Sequence, residues 1–401
     1  MKTIAIVGTS LAGLSSARAL RAQGFDGRLV LIGEEPHRPY DRPPLSKDFL
    51  LGRMTAEELE LGDAADLLEL NAQWYLGKRA VRLDMAAGAV TLSDGTEIDC
   101  DGVLVATGAS PRTLAGTGFP AEFGVHTLRT LDDAKALRAE LACGARVVVI
   151  GAGFIGAEVA SACRTLGCEV TVVEAAPVPL AGVLGERMGR LCADLHGEHG
   201  VRLITGTGVA GLSGGSAAGT ASVLTGVRLT DGRELPADVV VAGIGARPNT
   251  GWLAGSGLAV DDGVLCDSGC LTANPRVAAA GDVARYRCPH TGRLARAEHW
   301  TAAAEQPAVA VRNLLAGGTV EQYARPGYFW SDLYGQRIQF AGSAEGHDEL
   351  QVVDGALTER KFVVTYHRGG NVVGVLAMNS PRPFTRLRRS LNRPPMMVHP
   401  G

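Results

Sequence analysis

A strand, a glycine-rich turn, a helix, a second strand and an acidic residue follow one another at the start of the 401-residue chain. The apolar run at 4–7 leads directly into the turn GTSLAG at 8–13, and a helical stretch then continues to Gly24. A second apolar run at 29–32 ends just before Glu34. This order is typical of a unit that binds a nucleotide between a parallel sheet and the N-terminus of a helix.

The same order of elements recurs in the middle of the chain. The run RVVVI at 146–150 is followed by the turn GAGFIG at 151–156, which has all three glycines of the pattern. In the helix that follows, Ile155, Val159, Ala162 and Leu166 share one face. A further strand ends at Glu174.

Two copies of this unit predict two dinucleotide sites. The glycines let backbone N–H groups approach a pyrophosphate at a helix N-terminus, and the acid accepts hydrogen bonds from ribose hydroxyls. One short glycine pattern often arises by chance, whereas two copies with matching helices, strands and acids rarely do.

The similarity between the two regions extends beyond the turns. An Asp-Gly hairpin signal at 94–95 precedes a buried strand that ends at Gly108, and a second signal at 231–232 precedes a strand that ends at Gly245. The chain therefore has two similar lobes, each with its own nucleotide. Two nucleotides that face each other are what hydride transfer between cofactors requires.

Composition and charge exclude several classes of protein. Glycine occupies 53 positions, about twice its ordinary frequency of roughly 7%, as two nucleotide sites and many tight turns would require. The net charge of −3 gives no global nucleic-acid footprint. No apolar run is long enough to span a bilayer, and the first strand leaves no room for a secretory leader. We expect a cytoplasmic protein without membrane insertion, a monomer or a weak dimer.

The cysteines and histidines give no sign of a metal site or a disulfide framework. The eight cysteines are scattered without a Cys-x-x-Cys pair, so we interpret them as reduced thiols. His196 and His199 lack further ligands at metal spacing and are expected on a solvated helix face. The Gly/Ser/Ala-rich stretch at 206–222 is predicted to be a surface loop or hairpin.

Four further segments carry a family resemblance: RPPLSK at 42–47, AGDVA at 280–284, RAEHW at 296–300 and FWSDLYG at 329–335. Together with the two turns they resemble the FAD-dependent NADH–ferredoxin reductases that serve cytochromes P450 and ring-hydroxylating oxygenases. The resemblance extends from residue 1 to about 380.

The resemblance implies an α/β fold with two Rossmann-like domains of the glutathione-reductase type and a C-terminal α/β interface domain. It places a discontinuous FAD-binding domain at 1–112 and 246–322. The NAD-binding domain would occupy 113–245, and the interface domain 323–401.

The resemblance also implies the cofactors FAD and NADH and the residues that bind them. The FAD residues would frame the pyrophosphate, hold the ribose and ribitol, and line the isoalloxazine: Gly8, Ser10, Ala12, Gly13, Glu34, Arg42, Lys47, Ala80, Thr107, Gly108, Arg129, Asp282 and Trp300. The NADH residues would follow the second turn and its strand: Gly151, Gly153, Phe154, Ile155, Gly156, Glu158, Glu174, Gly243 and Gly245. Lys47, beside the flavin, and Glu158, its partner, would carry the catalytic roles.

Two positions depart from the family pattern. Ser10 stands where the first turn normally has its middle glycine, so the backbone approach to the phosphate is expected to shift slightly. Among residues 306–312, where the family meets its ferredoxin with basic side chains, only Arg312 is basic.

Glu174 predicts a preference for NADH over NADPH. A carboxylate at this position accepts a hydrogen bond from a ribose 2′-hydroxyl and repels a 2′-phosphate. No lysine or arginine occurs in 172–184 to attract that phosphate.

The expected reaction passes a hydride from NADH to FAD, after which electrons leave singly to an iron–sulfur ferredoxin that supplies a cytochrome P450 or another oxygenase. Because the cofactors perform this chemistry, no general acid, general base or metal is required.

Two alternatives stay open. A disulfide reductase or NADH oxidase of the same superfamily needs a redox cysteine against the flavin, but 40–45 contains none, and Cys163 and Cys168 lie on the second nucleotide helix. A non-enzymatic flavoprotein similar to apoptosis-inducing factor would bind acidic partners through its basic tail: Arg382, Arg386, Arg388, Arg389 and Arg393. We interpret that tail as solvated.

Overall fold

The structure is a computed structural model that describes residues 1–114, 124–215, 223–289 and 292–391. The segment 216–222 of the predicted surface hairpin and Arg393 of the predicted basic tail lie outside the described residues.

The helices are α1 Leu11–Ala22, α2 Ala64–Glu69, α3 Leu131–Glu140, α4 Phe154–Thr165, α5 Ala181–Glu198, α6 Trp300–Ala316 and α7 Pro381–Leu391. The strands are β1 Thr3–Val7, β2 Arg28–Ile32, β3 Ala72–Tyr75, β4 Ala80–Asp84, β5 Ala89–Leu92, β6 Glu97–Asp99, β7 Gly102–Val105, β8 Ala109–Pro111, β9 Val125–His126, β10 Arg146–Ile150, β11 Glu169–Glu174, β12 Arg202–Thr205, β13 Val209–Gly215, β14 Val223–Leu229, β15 Glu234–Pro236, β16 Val239–Ala242, β17 Ala246–Pro248, β18 Val264–Cys266, β19 Val277–Ala279, β20 Ala284–Arg287, β21 Leu294–Arg296, β22 Tyr328–Leu333, β23 Gln336–Gly342, β24 Glu349–Ala356, β25 Lys361–Arg368 and β26 Asn371–Met378.

Two five-stranded parallel sheets form the centres of the two lobes. The first has the order β19-β7-β1-β2-β3, and the second has the order β12-β11-β10-β16-β9. Both central strands, β1 and β10, end at a glycine turn and continue into a helix, α1 or α4. Their strands are almost continuously apolar and buried, because a parallel sheet is covered on both faces. The predicted pair of Rossmann-like units is confirmed.

Each lobe also carries a three-stranded antiparallel sheet, β4-β5-β6 in the first and β13-β14-β15 in the second. The predicted hairpin turns hold Gly95 and Gly232, which both have positive φ, at 84° and 87°. The pairing of β13 with β14 confirms a hairpin in the described part of the predicted loop.

The chain crosses between the two lobes at β8 and β17. These two short strands pair antiparallel, with Ser110 opposite Arg247. The outward and return crossings therefore run side by side as one ribbon.

The C-terminal section is a five-stranded antiparallel sheet in the order β22-β23-β26-β25-β24, with α7 packed against it. The predicted basic tail is wrong as a tail: its described arginines lie on α7, which is anchored by the buried ring of Phe384.

One prediction of exposure is wrong, and the apolar face of α4 is not uniformly buried. Ile155 is 48% exposed, whereas Val159 on the same face is fully buried. Ile155 lies in the first turn of α4, at the end that points out of the sheet. His196, expected on a solvated face, is buried because the C-terminal section covers α5, whereas His199 is exposed.

Candidate functional site

The first glycine turn is packed too closely for side chains at its first and last glycines. Gly8 has φ of 113°, and a Cβ placed on it would lie 2.0 Å from the carbonyl oxygen of Ala106. A Cβ on Gly13 would lie 1.8 Å from the carbonyl oxygen of Gly8. These glycines let the turn close against β7, so that α1 begins directly above the sheet edge.

The second turn repeats this geometry and leaves its middle position open. A Cβ on Gly151 would lie 2.3 Å from the oxygen of Gly243, and one on Gly156 would lie 2.0 Å from the oxygen of Gly151. A Cβ on Gly153, the N-cap of α4, would meet no heavy atom within 4 Å. This open space at a helix N-terminus fits a pyrophosphate.

Ser10 occupies the same place in the first turn as Gly153 in the second. The backbone angles φ and ψ are −78° and −164° at Ser10, and −68° and 178° at Gly153. Neither residue needs the left-handed region, so serine fits without backbone strain. The shift in backbone approach expected at Ser10 stays a prediction. The Ser10 hydroxyl accepts a hydrogen bond from Nε of Arg42 at 3.2 Å.

Arg42 lies in a network beside the start of α1. Its guanidinium pairs with Glu35 Oε1 at 2.6 Å, donates to the Tyr40 hydroxyl at 3.1 Å and donates to the carbonyl oxygen of Arg129. Burial raises the pKa of Tyr40 above its ordinary value, so Tyr40 remains a neutral donor to Glu35.

Arg129 and Asp282 meet on the other side of this turn, with Nη2 of Arg129 2.7 Å from Oδ2 of Asp282. Arg129 also lies close to Gly108, where a Cβ would be 3.4 Å from its guanidinium. The structure thus brings together Ser10, Arg42 and Arg129, two cations beside a helix N-terminus, where a diphosphate is favoured.

A buried amide with an unused donor lies beside the same turn. Gln306 is fully buried, and its Oε1 accepts from the backbone N–H of Gly281 at 2.9 Å. Its Nε2 has no hydrogen-bond partner among the described residues. A Cβ on Gly281 would lie 2.9 Å from Cβ of Ala12, so this segment packs closely on the first turn. A bound nucleotide with an acceptor here would satisfy the amide, so these residues fit FAD.

The acidic residues after the two second strands are not equivalent. Ile32 and Val173 hold matching positions, since their carbonyls accept from Gly8 and Gly151 at 2.7 Å. Gly33 is therefore the counterpart of Glu174, and Glu34 follows one residue later with an exposed side chain.

Glu174 is held against the second turn. Its Oε2 accepts from the backbone N–H of Ala152 at 2.8 Å, and its Oε1 accepts from the backbone N–H of Ala176 at 2.9 Å. The carboxylate therefore lies at the edge of the open space near Gly153, as expected of a group that meets a ribose.

Lys47 and Glu158 form the predicted ion pair between the lobes, with Nζ 2.7 Å from Oε2. The Glu158 side chain is only 3% exposed. Its Oε2 also accepts from Ser46 Oγ at 2.5 Å, and its Oε1 accepts from Ser331 Oγ at 2.6 Å. A buried carboxylate requires such donors.

The Trp300 indole donates from Nε1 to Oδ1 of Asp41 at 2.7 Å. Its ring lies 5.9 Å from that of Trp330 on β22. At the second nucleotide turn, the ring of Phe154 packs 4.7 Å from Phe329, also on β22. The C-terminal sheet therefore contacts residues predicted for both nucleotide sites.

The remaining predicted residues follow strands of the parallel sheets or, for Ala80, lie in the antiparallel sheet of the first lobe. Thr107 and Gly108 follow β7, and the Thr107 hydroxyl donates to the carbonyl oxygen of Asn249 at 2.8 Å. Ala80 begins β4 and is buried. Gly243 packs on the second turn, and Gly245 has φ of 95° beside the side chain of Arg112.

All eight cysteines are free thiols. Cys163 on α4 and Cys168, three residues beyond the end of that helix, are both buried in the core of the second lobe. Across the described ranges, no cluster of three or more His, Cys, Asp or Glu side chains suits a metal ion. None of the described helices is long and apolar enough to cross a bilayer.

Sequence reasoning assigned no role to Asp41, Ser46, Gln306 and Ser331. Each lies in a motif that carries the resemblance or shortly beyond one, but only the fold shows which group its polar atom meets.

Comparison with known proteins places these features in context. Residues 2–306 match the family model described as pyridine nucleotide-disulphide oxidoreductase, and residues 328–396 match a reductase C-terminal model. The anthranilate 1,2-dioxygenase system ferredoxin–NAD(+) reductase component of Burkholderia cepacia is 40% identical, over 96% of this chain and 92% of its own. Rhodocoxin reductase of Rhodococcus erythropolis is 38% identical, over 97% of this chain and 89% of its own.

A solved structure is also similar over nearly the whole chain. The covalent putidaredoxin reductase–putidaredoxin complex matches with a TM-score of 0.92 at 34% identity, covering 98% of this chain and 93% of that chain.

Proposed function

Because the chain belongs to the pyridine nucleotide-disulphide oxidoreductase family, we propose that it is an FAD-dependent NADH:ferredoxin reductase. It takes a hydride from NADH and delivers electrons singly to an iron–sulfur ferredoxin that supplies a cytochrome P450 or another oxygenase. The observation that carries this proposal is the buried ion pair of Lys47 and Glu158, which joins the two nucleotide lobes and lies beside the C-terminal sheet.

The first lobe would hold FAD. The N-terminus of α1, Arg42 and Arg129 would bind the pyrophosphate of FAD. Asp282 and Gln306 would hold the part of FAD between the pyrophosphate and the flavin ring. When bound, the flavin accepts two electrons as a hydride and releases them one at a time. Glu34 remains a proposed contact of the ribose, and Ala80 remains a proposed contact of the adenine. Thr107, at the edge of the first parallel sheet, also remains a proposed FAD contact.

The second lobe would hold NADH. The space beside Gly153 would take the pyrophosphate, and the positioned Glu174 carboxylate would accept from the ribose 2′-hydroxyl. The exposed Ile155 and the ring of Phe154 would border the nicotinamide half.

Lys47 and Glu158 would act where the reactive ends of the two cofactors meet. The ammonium places a positive charge where negative charge develops on reduction, and the carboxylate keeps that ammonium in position. No proton transfer by a side chain is required, so the contribution of the chain is orientation and exclusion of water.

The partner would dock against the C-terminal sheet and α7. Described residues of α7 include four arginines and no acidic residue. Arg388 lies 3.9 Å above the ring of Tyr328, and Arg337 lies 5.8 Å above Trp330. A cationic surface with aromatic rings near Trp300 fits an acidic electron-transfer protein.

We further propose the division into 1–112 with 246–322, 113–245 and 323–401. The ribbon of β8 and β17 supports the boundaries at 112/113 and 245/246, since the two crossings lie there. We also propose a cytoplasmic location, which the eight free thiols support, and a monomer or weak dimer.

The rival functions have less support. A disulfide reductase or cysteine-dependent NADH oxidase needs a thiol beside the flavin, whereas Cys163 and Cys168 are buried in the core of the second lobe. A binding protein similar to apoptosis-inducing factor would not need the ion pair between the lobes.

The test is reduction of a panel of purified [2Fe–2S] ferredoxins by NADH and the FAD-loaded protein. We expect rapid flavin reduction by NADH, and cytochrome c reduction only when a ferredoxin is added. A protein that cannot be reconstituted with FAD, or that binds nucleic acid with negligible turnover, would contradict the proposal.

A further inference from the structure

The Glu158 carboxylate accepts hydrogen bonds from donors in two separate parts of the chain. Ser46 and Lys47 come from the first lobe and both meet Oε2. On Oε1, the C-terminal sheet supplies the Ser331 hydroxyl at 2.6 Å and the backbone N–H of Asp332 at 3.4 Å. Ser331 is thus the strong donor on that oxygen, and without it the oxygen keeps only a long contact.

Ser331 is itself held rigidly. It is fully buried in β22, where it pairs with Ile338 of the neighbouring strand. The preceding residue, Trp330, belongs to the surface proposed to dock the partner. A strand fixed in a sheet places a hydroxyl more exactly than a loop does.

We propose that Ser331 is a positioning residue that orients the Glu158 carboxylate for its ion pair with Lys47, so that the C-terminal sheet completes the place where nicotinamide and flavin meet. This inference rests on the proposed function. Ser331 acts through Glu158 and has no direct role at Lys47. It is also not proposed to contact the adenosine end of the nucleotide.

Removal of the hydroxyl leaves Oε1 with only the 3.4 Å contact from the backbone N–H of Asp332, so the carboxylate can turn about its terminal bond. Lys47 then loses a fixed partner, although the charge of both groups remains. The nicotinamide end should be affected and the adenosine end, near Glu174, should not. Small misplacement at a reacting centre lowers the rate more than it lowers affinity.

The test uses the FAD-loaded full chain with Ser331→Ala, Ser331→Thr and Ser380→Ala. Threonine retains the hydroxyl. Ser380 is a matched control, because it is a buried serine of the same section whose hydroxyl has no partner among the described residues. Ferricyanide serves as acceptor, so that no ferredoxin contact enters the measurement.

With Ser331→Ala we expect about a tenfold lower kcat, with KM for NADH changed less than about threefold. Ser331→Thr and Ser380→Ala should remain within about twofold of the wild type. A second readout needs no turnover: titration of NAD+ into the oxidised holoenzyme, followed by the flavin absorption difference. Its amplitude should fall at least about twofold in Ser331→Ala while its midpoint moves little.

A double-mutant cycle separates positioning from a general loss of structure. In a Glu158→Gln background, Ser331→Ala should have less than half of its single effect, because the group through which it acts is already changed. Full additivity, or equal losses in Ser331→Ala and Ser380→Ala, would overturn the inference.

The failure of this inference is distinguishable from that of the proposed function. If the wild-type flavin is not reduced by NADH, the proposed function fails. If the wild type is reduced and Ser331→Ala behaves as wild type, only the role of Ser331 is wrong.

Discussion

Asp41 and Trp300 are joined across the first lobe by a hydrogen bond of 2.7 Å from the indole Nε1 to Oδ1 of the carboxylate. Asp41 lies between Tyr40 and Arg42, which are fixed by the network at the first turn, whereas Trp300 begins α6. Burial raises the pKa of Asp41, while the indole donor and the charge of Lys47 act in the opposite direction. The hydrogen bond therefore connects Trp300, which is predicted to line the flavin ring, to the segment that carries Lys47.

Asp41→Ala should lower the free energy of unfolding by about 1 kcal/mol, the usual value of one such hydrogen bond. Asp41→Asn retains an acceptor oxygen and should lose less than half as much. Urea unfolding of both variants measures this difference. Equal losses in the two variants would show that the bond to Trp300 contributes little.

His196 should make stability fall at acid pH. Burial lowers its pKa from 6.5 to about 4, and its Nδ1 lies 2.8 Å from the hydroxyl of Tyr334. Because the folded-state value lies below the unfolded one, its contribution is fully present above pH 6.5 and is lost as the pH falls through 4. The whole contribution is about 3 kcal/mol.

The check is urea unfolding of the wild type and His196→Asn between pH 7.5 and 4.5. The wild type should lose about 2 kcal/mol more than the variant over this range. His199→Asn, which changes the exposed neighbour on α5, should retain the wild-type slope. A parallel pH dependence in wild type and His196→Asn would refute the assignment.

Glu174 should decide between NADH and NADPH. We expect kcat/KM to favour NADH by about 100-fold in the wild type, since the carboxylate repels a 2′-phosphate. Glu174→Ser should reduce this preference to about tenfold or less. The exposed Glu169 at the start of the same strand offers a control, and Glu169→Ser should leave the ratio unchanged. Comparable wild-type values for the two nucleotides would contradict the prediction.

The glycines of the two turns should differ sharply in how well they tolerate replacement by alanine. Gly13→Ala places a Cβ 1.8 Å from the oxygen of Gly8, so the turn must move; we expect a loss of about 2–4 kcal/mol and poor retention of FAD. Gly153→Ala meets no atom within 4 Å, so folding should be unaffected while NADH binding weakens. Ser10→Gly should cost only a few tenths of a kcal/mol. Thermal unfolding and the FAD content after gel filtration test all three.

The positive charge of the α7 arginines should raise the rate at which the protein reduces a ferredoxin. Arg386 and Arg389 are exposed, and their double replacement by Glu should lower kcat/KM for a ferredoxin about tenfold at low ionic strength. The difference should shrink as salt is added. The ferricyanide rate should not change, and Arg82→Glu, on β4 of the first lobe, is the control. An equal loss with Arg82→Glu would point to a nonspecific charge effect.

The parts of the fold that sequence could predict depend on local geometry. The turn at 8–13 is recognisable because its close contacts are made within the unit of β1, α1 and β2, and the second copy repeats them. The position of Glu174 follows in the same way from its own strand.

The parts that sequence could not predict depend on contacts between distant residues. Ser331 reaches Glu158 only because β22 packs against α4, and no local pattern indicates that contact. His196 has the sequence surroundings of a solvated residue, yet Tyr334 covers it. The counterpart of Glu174 in the first lobe also depends on strand register, which places Gly33 there and Glu34 one residue beyond.

The side-by-side crossings at β8 and β17 have a consequence for the ancestry of the chain. Since both ends of the second lobe leave the first at one ribbon, a copied nucleotide unit can enter there without disturbing the order of the host strands. The strand β19, which follows the second lobe in the sequence, still pairs with β7 in the sheet of the first lobe. A single insertion event is therefore sufficient to turn a protein with one nucleotide site into one with two facing sites.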